Sequence, residues 1–251
     1  MKTVYQVPRC IIDSEAGTNF CAGCGHGITT RILAELIDEM GVRENMVLVI
    51  PIGCSGSLNR LIDADRICAL HGRAPAVATA IKRCDPKKFV FAYQGDGDLV
   101  SEGMAEIMHA GIRSEKFSVL FINNAIYGMT GGQVAPTTLL GQNATTAPGG
   151  RQPDNTGYPV NMAEIMAGLP GVGYAARVTI NTPARIAEAK KAMKRLFELQ
   201  LAGKGLNFLE VLVPCPTNWG MSPVKAMEWI DEAMIPQYPL GVFKDVEAEN
   251  K

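Results

Sequence analysis

Short apolar runs of strand length recur along this chain with helix-period segments between them. That alternation confines the fold to an α/β domain built on a mainly parallel sheet. Residues 47–51 (VLVIP), 89–94 (FVFAYQ), 117–122 (FSVLFI) and 206–213 (LNFLEVLV) read as buried strands, and 172–180 as a weaker one. Between them, Ile28, Ile32, Leu36 and Met40 are spaced at helical intervals over 27–40 ahead of a stop at Gly41, and 101–113 and 183–201 carry similar patterns. Thr182 followed by Pro183 is a helix cap with a first-turn proline. Strands joined through helices lie parallel, so a single domain over 1–251 with helices on both faces of the sheet is expected.

One stretch interrupts the alternation. Residues 130–161 are rich in Gly, Pro, Thr, Asn and Gln and show no period. A loop of that length inside a compact domain is uncommon, so it is either a functional closing loop or a linker. The strand and helix pattern resumes on both sides without a change of composition, which favours the functional loop. Residues 222–234 read as one more helix. The proline-containing stretch that follows (IPQYPLGVF) reads as an extended arm over 235–251, packed through Tyr238, Leu240 and Phe243.

Composition removes several function classes. With 24 Lys and Arg against 25 Asp and Glu, the formal charge is −1, which supplies no basic surface for nucleic acid. The longest stretch free of charge, 117–150, is studded with Asn, Gly, Thr and Pro and makes a poor membrane span. Residues 1–10 lack an apolar signal core, so a cytoplasmic location with no membrane partner is expected. The cysteine count of 7 is odd, and without an export signal a disulfide framework is not expected.

The sharpest local signal is Gly95-Asp96-Gly97-Asp98 directly after a strand, then a helix, a second strand and Asn123-Asn124. In a right-handed βαβ unit the carboxyl ends of adjacent parallel strands point the same way, so Asp96 and Asn124 can meet in the crevice where open α/β sheets bind ligands. A hard divalent cation takes oxygen ligands and shares them with substrate phosphates. A carboxylate, an amide oxygen and one backbone carbonyl would serve. The glycines let the turn approach a diphosphate, and a helix starting near Ser101 would offer its amides. Alone, the tetrapeptide reads first as a turn. A dinucleotide site fits less well, because the third glycine is missing and an acid stands where pyrophosphate would approach.

Cys21-Ala-Gly-Cys24 opens just before a helix pattern, where thiolates are favoured. Cys54 and Cys215 each follow a strand and could meet that pair. Four thiolates suit either Zn²⁺ or a [4Fe-4S] cluster, and spacing alone favours neither. Cys10, Cys68 and Cys84 need no role beyond that of small hydrophobes. His26 and His109 read as structural, Arg73 equally as an anion ligand or a surface ion pair, and the methionines mostly as core filling, with Met129 and Thr130 excepted because they follow the Asn pair.

The segment from Gly95-Asp96-Gly97 through Asn123-Asn124-Ala125-Ile126-Tyr127 resembles the diphosphate-binding motif of thiamine diphosphate enzymes. By that resemblance Asp96, Asn124 and the carbonyl of Ile126 hold Mg²⁺. Further motifs are Phe20-Cys-Ala-Gly-Cys-Gly-His-Gly27, Ile52-Gly-Cys-Ser55, His71-Gly-Arg-Ala-Pro-Ala-Val-Ala-Thr79, Tyr127-Gly-Met-Thr-Gly-Gly-Gln133 and Pro214-Cys-Pro-Thr217. Together, in this order, they resemble the β subunit of 2-oxoacid:ferredoxin oxidoreductases from about residue 18 to the end, nearest the 2-oxoglutarate and 2-oxoisovalerate types.

That resemblance implies a thiamine diphosphate-binding fold with 130–161 as an active-site loop. It implies a [4Fe-4S] cluster on Cys21, Cys24, Cys54 and Cys215, and a cofactor lined by Ile52, Gly53, Ser55, His71, Gly95, Gly97, Asp98, Gly128, Met129 and Thr130. The implied activity is CoA-dependent oxidative decarboxylation of a 2-oxoacid, with electrons passed through the cluster to ferredoxin. The glutamate that assists the cofactor is expected on an α partner, and γ and δ subunits are compatible with the same assembly. A non-redox thiamine diphosphate lyase or synthase half and a non-catalytic cluster-carrying subunit are the alternatives.

Overall fold

The computed structural model describes residues 6–12 and 18–248. The last three residues of the expected arm, and the first five of the chain, lie outside the described residues. The described strands are β1 (Met46–Ile50), β2 (Asp65–Cys68), β3 (Phe89–Gly95), β4 (Ser118–Asn123), β5 (Val172–Thr179), β6 (Leu206–Leu212) and β7 (Gly241–Asp245). They form one sheet in the order β2-β1-β3-β4-β6-β5-β7. Every pairing is parallel except that of β7, which runs antiparallel to β5.

The helices are α1 (His26–Met40), α2 (Ala74–Cys84), α3 (Met104–Ile112), α4 (Pro153–Thr156), α5 (Met162–Ala167), α6 (Pro183–Leu201), α7 (Pro216–Trp219), α8 (Pro223–Trp229) and α9 (Ile235–Gln237). Successive strand residues point to opposite sides of a sheet, and the two cores follow that rule. Leu48, Ile50, Phe91, Tyr93, Leu120 and Ile122 pack with Leu33 and Ile37 of α1 and Met193 and Phe197 of α6. Val49, Val90, Ala92, Val119 and Phe121 pack on the other face with Ala78 of α2 and Ile107 and Ala110 of α3. Central strands covered on both faces have no side turned to water, which is why β3 and β4 appear in the sequence as nearly continuous apolar runs, and β6 does so apart from the buried Asn207 and Glu210.

Local chemistry sets the helix ends. Gly41 takes the left-handed conformation that closes α1, with φ 62°. The Thr182 side chain accepts a hydrogen bond from the Arg185 amide at the start of α6. Three elements depart from the expectation. Strand β2 is exposed along its length and carries no apolar alternation that would mark it. The helix expected to begin near Ser101 is preceded by a wide helical turn over Gly97–Glu102 that starts directly at Asp96. The segment expected as an extended arm continues α8 through a second wide turn (Ile230–Met234) and α9, and only then becomes extended as β7.

Candidate cofactor site

Four neighbouring strands of the sheet, β1, β3, β4 and β6, deliver their carboxyl ends to one place. The loop after β1 brings Gly53, Cys54 and Ser55; β3 ends beside Asp96, β4 beside Asn124, and β6 leads to Cys215. Register places Gly95 opposite Ile122 and Asn123 opposite Leu212, so the three polar ends sit level. A cleft there is lined by all the expected cofactor residues: Ile52, Gly53, Ser55, His71, Gly95, Gly97, Asp98, Gly128, Met129 and Thr130, together with Asp96, Asn124, Ile126, Cys54, His26 and Tyr127.

Asp96 is 3% exposed. Its Oδ1 accepts from the Gly97 amide at 2.8 Å, and its Oδ2 accepts from the Ile126 amide at 3.2 Å and the Thr137 hydroxyl at 2.6 Å. Burial raises its pKa to about 6 against these hydrogen bonds, which favour the charged form. The Asn124 carboxamide directs its oxygen at the Ile126 carbonyl oxygen, 2.7 Å away, and at Oδ1 and Oδ2 of Asp96, 3.3 and 3.2 Å away. Either the amide turns over and donates to those atoms, or a cation occupies the space between them. The three expected Mg²⁺ ligands therefore converge, and their oxygens fit a hard divalent ion.

The turn that carries these ligands is held from several sides. Ala125 has φ 56°, a left-handed value. Its amide donates to Asn123 Oδ1 at 3.0 Å, and its carbonyl accepts from the Thr138 hydroxyl at 2.7 Å and Gln142 Nε2 at 3.0 Å. Trp219 Nε1 donates to the Asn124 carbonyl at 3.1 Å. Gly97 lies against the Tyr127 ring so closely that a Cβ would come 2.3 Å from it, and the Tyr127 hydroxyl donates to the Gly97 carbonyl at 3.1 Å.

Asp98 faces His71 instead of the ligand turn. Its Oδ1 is 2.9 Å from His71 Nδ1 and accepts from the Gly72 amide at 2.7 Å, while its Oδ2 accepts from Gln94 Nε2 at 2.6 Å. Gly72 has φ 71°, and a side chain there would run into the Glu102 backbone at 2.3 Å. The Ser55 hydroxyl is 2% exposed, lines the cleft and has no partner among the described residues. A buried donor left open toward a cleft fits a polar ligand. His26 is stacked between Phe20 and Tyr93, with Nδ1 3.0 Å from the Tyr93 hydroxyl, and burial lowers its pKa to about 4.

A second cavity, of about 390 Å³, is lined by Cys21, Cys24, Cys54 and Cys215, and it shares Cys54, Asn124, Gly128 and Met129 with the cleft. Burial raises the pKa of Cys24 to about 12 and of Cys54 to about 11, and that of Cys215 in the same direction. Buried thiols that resist ionisation become thiolates when a cation offsets the charge. Among the described residues no three His, Cys, Asp or Glu side chains are gathered as a site for a single metal ion. The four thiols ring a cavity, and that donor set suits a thiolate-held cluster. Cys10, Cys68 and Cys84 lie outside that cavity.

The structure adds residues for which the sequence reading assigned no role. Thr137 and Arg151 belong to the long loop. Arg151 is 2% exposed and donates to the carbonyls of Ala135, Pro136, Thr138, Thr156, Gly157 and Tyr158, folding the loop around one guanidinium. An arginine in a Gly- and Pro-rich stretch carries no periodic signal, and its six acceptors are backbone atoms. Asn218 and Trp219 were equally silent, since each acts through a partner distant in sequence, and so was Gln94, whose tie to Asp98 forms only when the turn after β3 closes.

A cleft at the carboxyl ends of a parallel sheet, with converging oxygens beside a thiol-lined cavity, defines a cofactor-binding α/β domain. Residues 51–211 match the family model of the thiamine pyrophosphate enzyme, C-terminal TPP binding domain. The chain is 44% identical over 234 residues to the ketoisovalerate oxidoreductase subunit VorA of Methanothermobacter marburgensis, covering 93% of this chain and 49% of that protein. It is 40% identical over 203 residues to the 2-oxoglutarate synthase subunit KorB of Methanocaldococcus jannaschii, covering 80% of this chain and 70% of that protein. The solved 2-oxoglutarate:ferredoxin oxidoreductase from Magnetococcus marinus with 2-oxoglutarate, coenzyme A and succinyl-CoA bound matches with a TM-score of 0.75 at 25% identity, over 97% of this chain and 86% of that chain. The chain belongs to the 2-oxoacid:ferredoxin oxidoreductase subunit family and carries its thiamine pyrophosphate-binding domain. It spans about half the length of the VorA relatives.

Proposed function

We propose that this chain is the thiamine diphosphate- and cluster-bearing part of an enzyme that oxidatively decarboxylates a 2-oxoacid to its acyl-CoA and CO₂, passing electrons to ferredoxin. The observation that carries this reading is the shared wall: Cys54, Asn124, Gly128 and Met129 line both the cleft and the thiol cavity. Thiamine diphosphate supplies, when bound, the electron sink for decarboxylation, and a [4Fe-4S] cluster takes electrons singly. Asp96, Asn124 and the Ile126 carbonyl would hold Mg²⁺. Cys21, Cys24, Cys54 and Cys215 would hold the cluster.

The chain's own groups would then bind and orient. Ser55 has an open hydroxyl for the diphosphate. Asp98 fixes His71 through Nδ1, which leaves Nε2 as the ring nitrogen available to a ligand. Among the described residues no glutamate lines the cleft, and this reading assigns a base or acid of that kind to an α partner. Ile52 and Met129 of the cleft rim are exposed at 47% and 60%, and Leu70 beside His71 at 76%, an apolar rim suited to being covered by an α partner. The likeness to a ketoisovalerate oxidoreductase subunit and to a 2-oxoglutarate synthase subunit supports 2-oxoisovalerate or 2-oxoglutarate as the substrate. The test is a panel of 2-oxoacids with CoA and a ferredoxin acceptor, run on the purified complex. CoA-dependent reduction with one of these two is expected, and turnover that ignores CoA or the acceptor would favour a non-redox lyase or synthase.

A further inference from the structure

We propose that Asn218 sets the reduction potential of the cluster and ties it to the wall of the cofactor cleft. The inference rests on the cluster reading given above. Asn218 lies on α7, three residues after Cys215, and its Nδ2 carries two hydrogens with two acceptors: Cys215 Sγ at 3.3 Å and the Gly128 carbonyl at 2.9 Å. Of the four thiols, Cys215 is the one to which a side-chain amide donates among the described residues.

Gly128 is where the two cavities meet. A Cβ there would come 3.4 Å from the Asn124 carboxamide, 3.5 Å from Cys54 Sγ and 3.7 Å from Asn218 Nδ2. The other end of the Asn218 amide is packed on Gly132, where a Cβ would lie 3.3 Å from Oδ1. One amide thus touches a cluster ligand and the backbone of the turn that borders Asn124.

Reduction adds one electron to a cluster whose ligand sulfurs are already anionic. An N–H aimed at a ligand sulfur stabilises the more negative, reduced state and raises the potential. Removing the donor lowers it, and a carboxylate in its place lowers it further. The same amide holds the Gly128 carbonyl, so the sulfur and the cleft wall stay in fixed relation.

The experiment is a potentiometric titration followed by EPR on the anaerobically purified complex, comparing wild type with Asn218→Leu and the isosteric Asn218→Asp. Iron and acid-labile sulfide are measured on each. The expected result is full iron content in at least the Asp variant and potentials in the order Asn above Leu above Asp, an order that loss of packing alone does not produce. Potentials equal to wild type at full iron content would overturn the proposal. So would loss of iron from both variants alike, which would make Asn218 a structural support of the site. A wild-type protein holding zinc and no iron would remove the cluster reading itself, whereas an iron–sulfur wild type with unmoved variants would remove only the role of Asn218.

Discussion

A carboxamide oxygen aimed at three other oxygens needs a cation or a half-turn of the amide, and Asn124 is in that position. Its neighbour Asp96 has a raised pKa of about 6 because burial outweighs the donors around it. In the metal-free chain the folded state therefore holds this proton more tightly than the unfolded one. The stability it contributes is fullest below the ordinary aspartate range and is lost as pH rises through about 6. NMR titration of the Asp96 carboxyl should place its midpoint near 6 without metal, and a midpoint in the ordinary range would contradict the burial described.

Thr137 tests the same residue from the other side, since its hydroxyl donates to Asp96 Oδ2 at 2.6 Å. A hydrogen bond to a charged acceptor is worth about 1.5–3 kcal/mol. Thr137→Val should weaken Mg²⁺-dependent thiamine diphosphate binding by roughly tenfold or more, and Thr137→Ser should restore it in a calorimetric titration.

Elements carry the next layer. Arg177 of β5 is fully buried, with Nε 2.9 Å from Glu210 Oε2 on β6 and a second pair to Glu164 on α5. It also donates to the Pro239 carbonyl at 2.9 Å, and its guanidinium lies 5.3 Å from the Tyr238 ring centroid and 5.2 Å from that of Phe243. Glu210 in turn accepts from Asn123 Nδ2 at 2.7 Å, so the ion pair joins the C-terminal segment to the strand end that carries the ligand turn. Breaking such a pair from one side leaves a buried charge, at a cost of about 3–5 kcal/mol. Arg177→Met should lower the denaturant midpoint accordingly, and the double change Arg177→Met, Glu210→Leu should recover most of the loss.

The same elements show why sequence patterning stops where it does. Strands β1, β3, β4 and β6 and helix α6 were legible because burial on both faces, or a cap with a first-turn proline, writes itself locally. Strand β2 was not, being exposed throughout, and β7 was read only as an extended arm because its pairing to β5 is a long-range event.

At the scale of the molecule, the topology converts scattered motifs into one site. The order β1-β3-β4-β6 sets four loops side by side, and the Cys-x-x-Cys turn is brought in where the Gly25 amide donates to the Pro214 carbonyl at 3.1 Å. That Asp96, Asn124, Cys54 and Cys215 gather was legible from their positions at strand ends, while the rest of the cleft lining was legible only through the family resemblance. What braces them, Thr137, Arg151, Asn218 and Trp219, was not, since each braces through a partner that only the folded chain brings near. Among the described residues no helix is long and apolar enough to cross a membrane.

The proposed function requires the two cavities to work as one centre. Its most direct test is rapid-freeze EPR of the anaerobic complex after mixing with a 2-oxoacid, with and without thiamine diphosphate and in the Asp96→Ala variant. A reduced-cluster signal is predicted only when the wild-type chain holds thiamine diphosphate and Mg²⁺. An identical signal without the cofactor, or in Asp96→Ala, would contradict it.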